Sequence, residues 1–327
     1  MDIFKAIEDG NVEEARRLIE EDASVIESTD GFGLTPLRWA AFYGHKDIVD
    51  LLLDKGAKIN PKEKGGRTPL YWAAKQGHMD VVELLVARGA VTKAGATKLL
   101  FVAAEDGCEA LAKVAIENGG DVNASEGKDQ EGWTPLTEAS QKGQTEIVKL
   151  LLANGADVTV NWGGMTPLHQ ASNREIAKAL VAHGADIRAK DKVGRSPLDT
   201  IPDAGATEVL LQKGKWEKRD LNGALNCAAG THLVDTMRVL LDHGADINVR
   251  NRQGRTALSW AAQYGFLASL KLFLERGADA NSRDKEGQTP LDWAIEMGNN
   301  EAAEILRAHA NNPVSQAKKG FRWPWSR

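Results

Sequence analysis

Cysteine is scarce in this 327-residue chain: Cys108 and Cys227 are its two, and they stand far apart. No CxxC pair and no Cys/His spacing of a zinc site can be built from them, and a disulfide framework is excluded. Long apolar runs are also missing. No stretch approaches the roughly 18 consecutive apolar residues of a membrane-crossing helix. The opening Met1-Asp2-Ile3-Phe4-Lys5 leads into a charged helical pattern without a signal-peptide profile. These absences predict a reduced, intracellular, cytoplasmic protein. An excess of positive charge is lacking too. The 41 Lys and Arg against 46 Asp and Glu give −5, which argues against a surface built throughout to grip nucleic acid. Tyrosine is rare, at three residues, whereas tryptophan reaches nine, so the tryptophan positions need an explanation.

Chemistry-bearing patterns are equally thin. No Ser/His/Asp order, no cleft-forming pair of carboxylates and no metal-ligand spacing stands out. Gly31-Phe32-Gly33 and Gly163-Gly164 read as turn glycines, since no Lys-Ser/Thr follows at phosphate-loop spacing. His45 and His78 fall in turns between helices, His169 follows a Thr-Pro-Leu, and His183 and His243 precede Gly-Ala-Asp at helix ends. Each is expected to be structural. No enzymatic activity, cofactor or metal is therefore expected.

What is present is a repeat. Thr-Pro-Leu-like segments place equivalent positions at Thr35, Thr68, Lys98, Thr134, Thr166, Ser196, Gly223, Thr256 and Thr289, at a spacing close to 33 residues. A first, irregular unit precedes them, with Ile3, Ala6 and Gly10 matching Leu37, Ala40 and Gly44. About ten units thus cover residues 1–310. The motif has a mechanical logic. Thr or Ser caps a helix by accepting an otherwise unpaired N–H, and Pro at the next position loses no bond. Leu37 and Ala40-Ala41 then pack inward. Glycines such as Gly44 and Gly77 stop the first helix in a left-handed conformation. A second helix such as Ile48–Leu53 follows and ends at Gly-Ala-Asp.

Thr-Pro-Leu-x-x-Ala, then Gly-His, then Gly-Ala-Asp at this period resembles the ankyrin repeat family. The resemblance implies an all-α repeat solenoid of helix-turn-helix units with β-hairpin fingers, in which stacking supplies the core that no unit buries alone. Residues 1–30 read as an N-terminal capping unit, 31–170 as a regular half and 171–222 as irregular short units. Residues 223–310 read as a C-terminal half with its own cap, and 311–327 as a basic, aromatic tail. The irregularities are specific. Lys98-Leu99 replaces the capping Thr-Pro, Ala171–Glu175 joins two helices without Gly-His, and Pro202 should curtail a helix at Ile201. A weak point in the array is expected around residues 171–222.

The family's mode of action implies a protein-interaction module, whether scaffold, adaptor or inhibitor, that binds through the fingers and the first helices. Its variable positions correspond here to Phe32, Leu34, Arg67, Trp133, Trp162, Met165, Arg195 and Arg255 on the fingers. At the ends of first helices they correspond to Phe42, Tyr43, Lys75, Lys142 and Tyr264. Trp39, Trp72, Trp260 and Trp293 occupy a slot inside the first helices and are expected in the core. The aromatics among the variable positions suit an interface. The cations, with Lys64, Lys192 and Arg252, suggest a protein partner with an acidic or phosphorylated segment. Two further readings remain open: a nucleotide-like ligand stacked on Trp133 or Trp162, and membrane or motif contact through Arg322, Trp323 and Trp325 of the tail. A monomer is expected, without nucleic acid. Asn60, Asn123, Asn248 and Asn281 resemble turn asparagines that are hydroxylated in some animal members of the family.

Overall fold

A computed structural model gives the structure of residues 2–61, 67–125, 132–159 and 163–311. Among these residues every regular element is helical. In the first repeat α1 (Ile3–Glu8) is capped by Asp2 and α2 (Val12–Glu21) by Asn11, and a 3-10 turn over Ala23–Glu27 follows. The second repeat holds α3 (Pro36–Tyr43) and α4 (Lys46–Asp54), and the third α5 (Pro69–Gln76) and α6 (Met79–Ala87). The fourth holds α7 (Lys93–Asp106) and α8 (Glu109–Glu117), and the fifth α9 (Pro135–Lys142) and α10 (Thr145–Ala153). The sixth has a 3-10 turn over Pro167–Gln170 and then α11 (Arg174–Ala182); the seventh has α12 (Pro197–Thr200) and α13 (Ala204–Lys213). The last three are α14 (Lys218–Gly230) with α15 (Val234–Asp242), α16 (Ala257–Tyr264) with α17 (Leu267–Glu275), and α18 (Pro290–Glu296) with α19 (Asn300–Asn311).

The caps follow the sequence. Thr35, Thr68, Thr134, Thr256 and Thr289 each accept the N–H three residues on, a bond whose loss costs about 1 kcal/mol. Gly44, Gly77, Gly107, Gly143 and Gly265 end the first helices with φ between +67° and +81°. At Gly44 a side chain is doubly forbidden, because a Cβ there would lie 2.4 Å from the His78 ring. His78 itself reaches back through Nε2 to the carbonyl of Phe42 (3.0 Å). Gln144 and Asn299 use the same slot to donate to the carbonyls of Glu105 (3.4 Å) and Gln263 (2.6 Å), so three residue types make one inter-repeat bond. In the eighth repeat His232 takes the glycine's place at φ 61°, alone among the described non-glycine residues. The left-handed backbone costs about 1–2 kcal/mol. A ring stack on Phe266 (4.6 Å) and a 2.6 Å bond between Nδ1 and the Ser269 hydroxyl offset it.

Where both the capping Thr and the Pro are missing, the helix grows backward. Lys98 lies inside α7, which begins on Thr92, and Gly223 lies inside α14, which begins after Glu217. A proline forces the residue before it out of the helical region and ends any helix arriving from upstream; a capping Thr alone still starts α16 at Ala257, whereas without either the upstream residues join. Where residues are few, the helix shrinks. The first helix of repeat 6 is one 3-10 turn, and that of repeat 7 stops at Ile201 before Pro202, as its sequence predicts.

The fingers are tight turns closed by an Asx side chain. In Asp30–Leu34 the Asp30 carboxylate accepts the N–H groups of Phe32 (2.8 Å) and Leu34 (2.9 Å). Asp191, Asn251 and Asp284 repeat the arrangement. The N–H of Lys285 donates to the carbonyl of Gln253 (3.0 Å), joining neighbouring fingers. The turn asparagines also bridge repeats: Asn60 donates to Ala90, Asn123 to Gly155, and Asn248 accepts from the N–H of Asp279.

Contacts divide the chain into two compact blocks, one up to Asp157 and one from Val158. In the first, α1 packs on α3, α3 on α5 and α7 on α9, while α2 packs on α4, α4 on α6 and α8 on α10. In the second, α12 packs on α14, α14 on α16 and α16 on α18, while α11 packs on α13, α13 on α15, α15 on α17 and α17 on α19. Each block is thus two layers of helices with a core of Leu, Ile, Val and Ala between repeats, among them Leu37, Ile48, Leu136, Leu168 and Leu258. No helix among the described residues is long and apolar enough to cross a membrane.

Candidate protein-binding surface

Each first helix has one face committed to the core. On α3, Leu37, Ala40 and Ala41 are buried. Trp39, Phe42 and Tyr43 lie three or four positions apart and therefore share the opposite face. Trp39, Trp72 and Trp260 are half-buried, which corrects their expected place in the core; of the four, Trp293 is buried. The core slots of these helices are already filled by Leu and Ala, so the indoles lie across the surface. The indole N–H of Trp39 donates to Asp30 (2.9 Å), and that of Trp293 to Asp284 (2.8 Å). Burial pushes the Asp284 carboxyl up. The N–H donors of Trp293, Gln288 and Glu286 outweigh that and hold it below the usual carboxylate range.

In the first block the rings form a connected patch. Phe4 meets Trp39 edge-on at 5.6 Å, Trp39 lies 5.7 Å from Tyr43, Tyr43 5.2 Å from Phe42, and Phe42 5.7 Å from Trp72. The Arg38 guanidinium covers the Trp72 ring at 4.7 Å. Beside Trp39 opens a groove of about 570 Å³ lined by Phe4, Leu18, Val25 and Phe32. Phe32, at the finger tip, is 88% exposed, and Phe42 is exposed as well. Phe42 and Tyr43 are therefore brought together, Phe32 is linked to them through the groove it lines with Trp39, and half-buried Leu34 closes the Phe32 finger. Phe4, Trp39 and Trp72 belong to the patch although sequence reasoning left them out. The Trp39, Phe42, Tyr43 spacing carried the signal.

The cations do not form an open basic strip. Arg67 makes a bidentate pair with Asp106 (Nε to Oδ2 3.3 Å, Nη2 to Oδ1 3.1 Å), and Lys75 donates to the Asp106 carbonyl (2.6 Å). Lys142 lies 3.7 Å from Glu138, which also accepts the Trp133 indole N–H. In the second block Arg195 pairs with Asp191 at 2.8 Å. Arg255 lies 3.6 Å over the Trp293 ring and 3.4 Å from Asp284. Tyr264 stacks between Trp260 and Phe266, 5.6 Å from each, and is exposed. Met165 is half-buried, its sulfur 3.5 Å from the Gln170 amide. Trp162, Lys64 and the tail residues Arg322, Trp323 and Trp325 lie outside the described residues. No group of three or more His, Cys, Asp or Glu that could hold a metal ion occurs among the described residues. Both thiols have pKa values pushed up by burial, which suits packed rather than reactive cysteines.

Comparison with known proteins agrees with this architecture. The family model described as ankyrin repeats (3 copies) matches residues 3–96, 61–126, 99–191, 203–284 and 225–317. A palmitoyltransferase AKR1 of Lachancea kluyveri is 30% identical over 150 residues, covering 43% of this chain and 20% of that enzyme. An ankyrin repeat and SAM domain-containing protein 6 of Rattus norvegicus is 29% identical over 159 residues, covering 49% of this chain and 11% of the relative. The likeness thus spans a fifth or less of these relatives' lengths. Among solved structures, the human ASB11 ankyrin repeat domain superposes with a TM-score of 0.55 at 26% identity, covering 66% of this chain and 99% of that domain.

Proposed function

Because the chain belongs to the ankyrin repeat family, whose repeats are protein–protein interaction modules, we propose that it binds a protein partner through the aromatic patch of its second and third repeats. The carrying observation is the run Phe4, Trp39, Tyr43, Phe42 and Trp72, with neighbouring rings 5.2–5.7 Å apart, which includes the exposed Phe42 and borders the Phe32 groove at its Phe4 and Trp39 end. Aromatic side chains supply most of the energy at interface hot spots. Here they are already held in place by the core beneath, which lowers the ordering cost of binding. A strongly anionic partner has less support. Arg67, Lys142, Arg195 and Arg255 each lie beside a carboxylate of this chain, so a phosphate would have to displace that carboxylate first. The reading is of an adaptor or scaffold that recognises an apolar, aromatic or methyl-rich segment.

The test is crosslinked capture with the intact chain beside two variants, Phe42→Ala/Tyr43→Ala on the patch and Lys113→Ala on α8. Circular dichroism confirms that each is folded. A specific partner should bind the patch variant at least about tenfold more weakly, the scale of a hot-spot loss, and the α8 variant unchanged. Equal binding by all three proteins refutes the surface.

A further inference from the structure

One slot of the first helix lies between repeats and reports whether a neighbour covers it. Six residues after the cap position it holds Ala41, Ala74, Ala104, Ser140, Ala229 and Ala262, all at most 5% exposed. In the first repeat the slot holds Ile7, which is 0% exposed because α3 packs over it. In the last repeat it again holds isoleucine, but Ile295 is 50% exposed. The leucine slot behaves likewise: Leu37, Leu70, Leu136 and Leu258 are buried, whereas Leu291, four residues before Ile295 on α18, is half-buried. Met297 adds a second exposed apolar side chain. A terminal repeat normally turns a polar outer face to water. This one keeps the apolar residues of an inner repeat.

The exposed charge on these last two helices is mostly acidic. Asp292, Glu296, Glu301 and Glu304 are exposed on α18 and α19, with Arg307 as the one Lys or Arg of these two helices. The residues that follow carry the complementary pattern. Residues 312–327 contain Lys318, Lys319, Arg322 and Arg327 with no Asp or Glu, and Phe321, Trp323 and Trp325 among them. We propose that this segment folds back as the cover of the last repeat, with Phe321, Trp323 and Trp325 against Leu291 and Ile295 and its cations against the glutamates. The reach is sufficient. α19 is about 18 Å long at 1.5 Å per residue, and residues 312–320 span up to about 30 Å when extended.

Hydrogen exchange of the full chain tests this against a chain ending at Asn311, Trp323→Ala/Trp325→Ala, Ile295→Glu, and Ile295→Glu in the shortened chain. Amides of α18 and α19 should exchange about tenfold or more faster in the first three, the scale set by uncovering a large apolar side chain. Ile295→Glu should add nothing once the tail is gone. Amides of the first block serve as the internal reference for intact folding. Unchanged exchange on removing the tail overturns the proposal. So does a full-length dimer, seen by sedimentation, that Ile295→Glu disperses, since a second copy would then be the cover. Tail-dependent flotation with anionic vesicles, combined with unchanged exchange in the shortened chain, assigns the segment to a membrane surface instead.

Discussion

His169 closes its own helix cap. Its Nδ1 lies 3.0 Å from the Thr166 nitrogen and 2.9 Å from the Thr166 hydroxyl. The backbone N–H can only donate, so Nδ1 accepts and the ring proton resides on Nε2, which donates to the Arg195 carbonyl at 3.2 Å. Asp199 and Asp292 fill the same box with a carboxylate oxygen in repeats 7 and 10. Burial pushes the imidazole pKa down, outweighing the bond to Arg195 and the charges of Asp191 and Asp199, which raise it. Protonation would also set a second N–H against that of Thr166. The unfolded chain takes up this proton at the ordinary histidine value and the folded chain only at lower pH. Stability from this site is therefore present above about pH 6.5 and lost as the pH falls through the window below it. His169→Asn keeps an acceptor and removes the titration. Between about pH 7.5 and 5 the wild type should lose more unfolding free energy than the variant, as read by urea midpoints; equal losses would contradict this proton assignment.

At the scale of the element, the consensus is a poor guide to a repeat that lacks it. Restoring Thr-Pro by Lys98→Thr/Leu99→Pro is the change a family alignment recommends. The structure predicts the opposite outcome, because α7 starts after Thr92 and Leu99 lies at its middle. A proline there removes a helical bond and clashes with the preceding turn, so the variant should lose about 3 kcal/mol of stability, measurable by chemical denaturation; a gain would mean that the helix restarts at Lys98. The same comparison shows what the sequence made legible. Caps, left-handed glycines and the curtailed helix at Ile201 are local: neighbouring residues decide them, and Thr35-Pro36 or Pro202 announces the outcome. Helix extension in α7 and α14 depends on upstream residues that no motif marks. The surface was half legible. Phe32, Phe42 and Tyr264 follow from position in the repeat. The partial exposure of Trp39 and Trp72 depends on the space left by the next repeat, and the pairing of Arg67 with Asp106 joins residues 39 positions apart.

For the molecule as a whole, stability in stacked repeats is approximately a sum of local terms and nearest-neighbour contacts, so the two shortened first helices should show. The turn Pro167–Gln170 and α12 have four residues each, against eight in α3, α5 and α16. Few backbone N–H groups there have helical partners; the N–H of Ile201 reaches Pro197, and that of Ala171 reaches Leu168. We expect the amides of residues 168–171 and 199–201 to exchange about tenfold or more faster than those of α16, since protection follows local opening. Uniform protection would contradict the weak point. Leu198, 2% exposed, is buried on α12, the element of the short repeat that packs on α14. Leu198→Ala should cost about 2–5 kcal/mol as a cavity in the core. The loss of protection should spread to its neighbours α13 and α14 while α3 and α5 of the first block keep theirs. If the aromatic patch on α3 and α5 is the binding face, the variant should retain its partner while its second block loosens. Simultaneous loss of partner affinity and of protection in α3 would show that the second block is energetically part of the site.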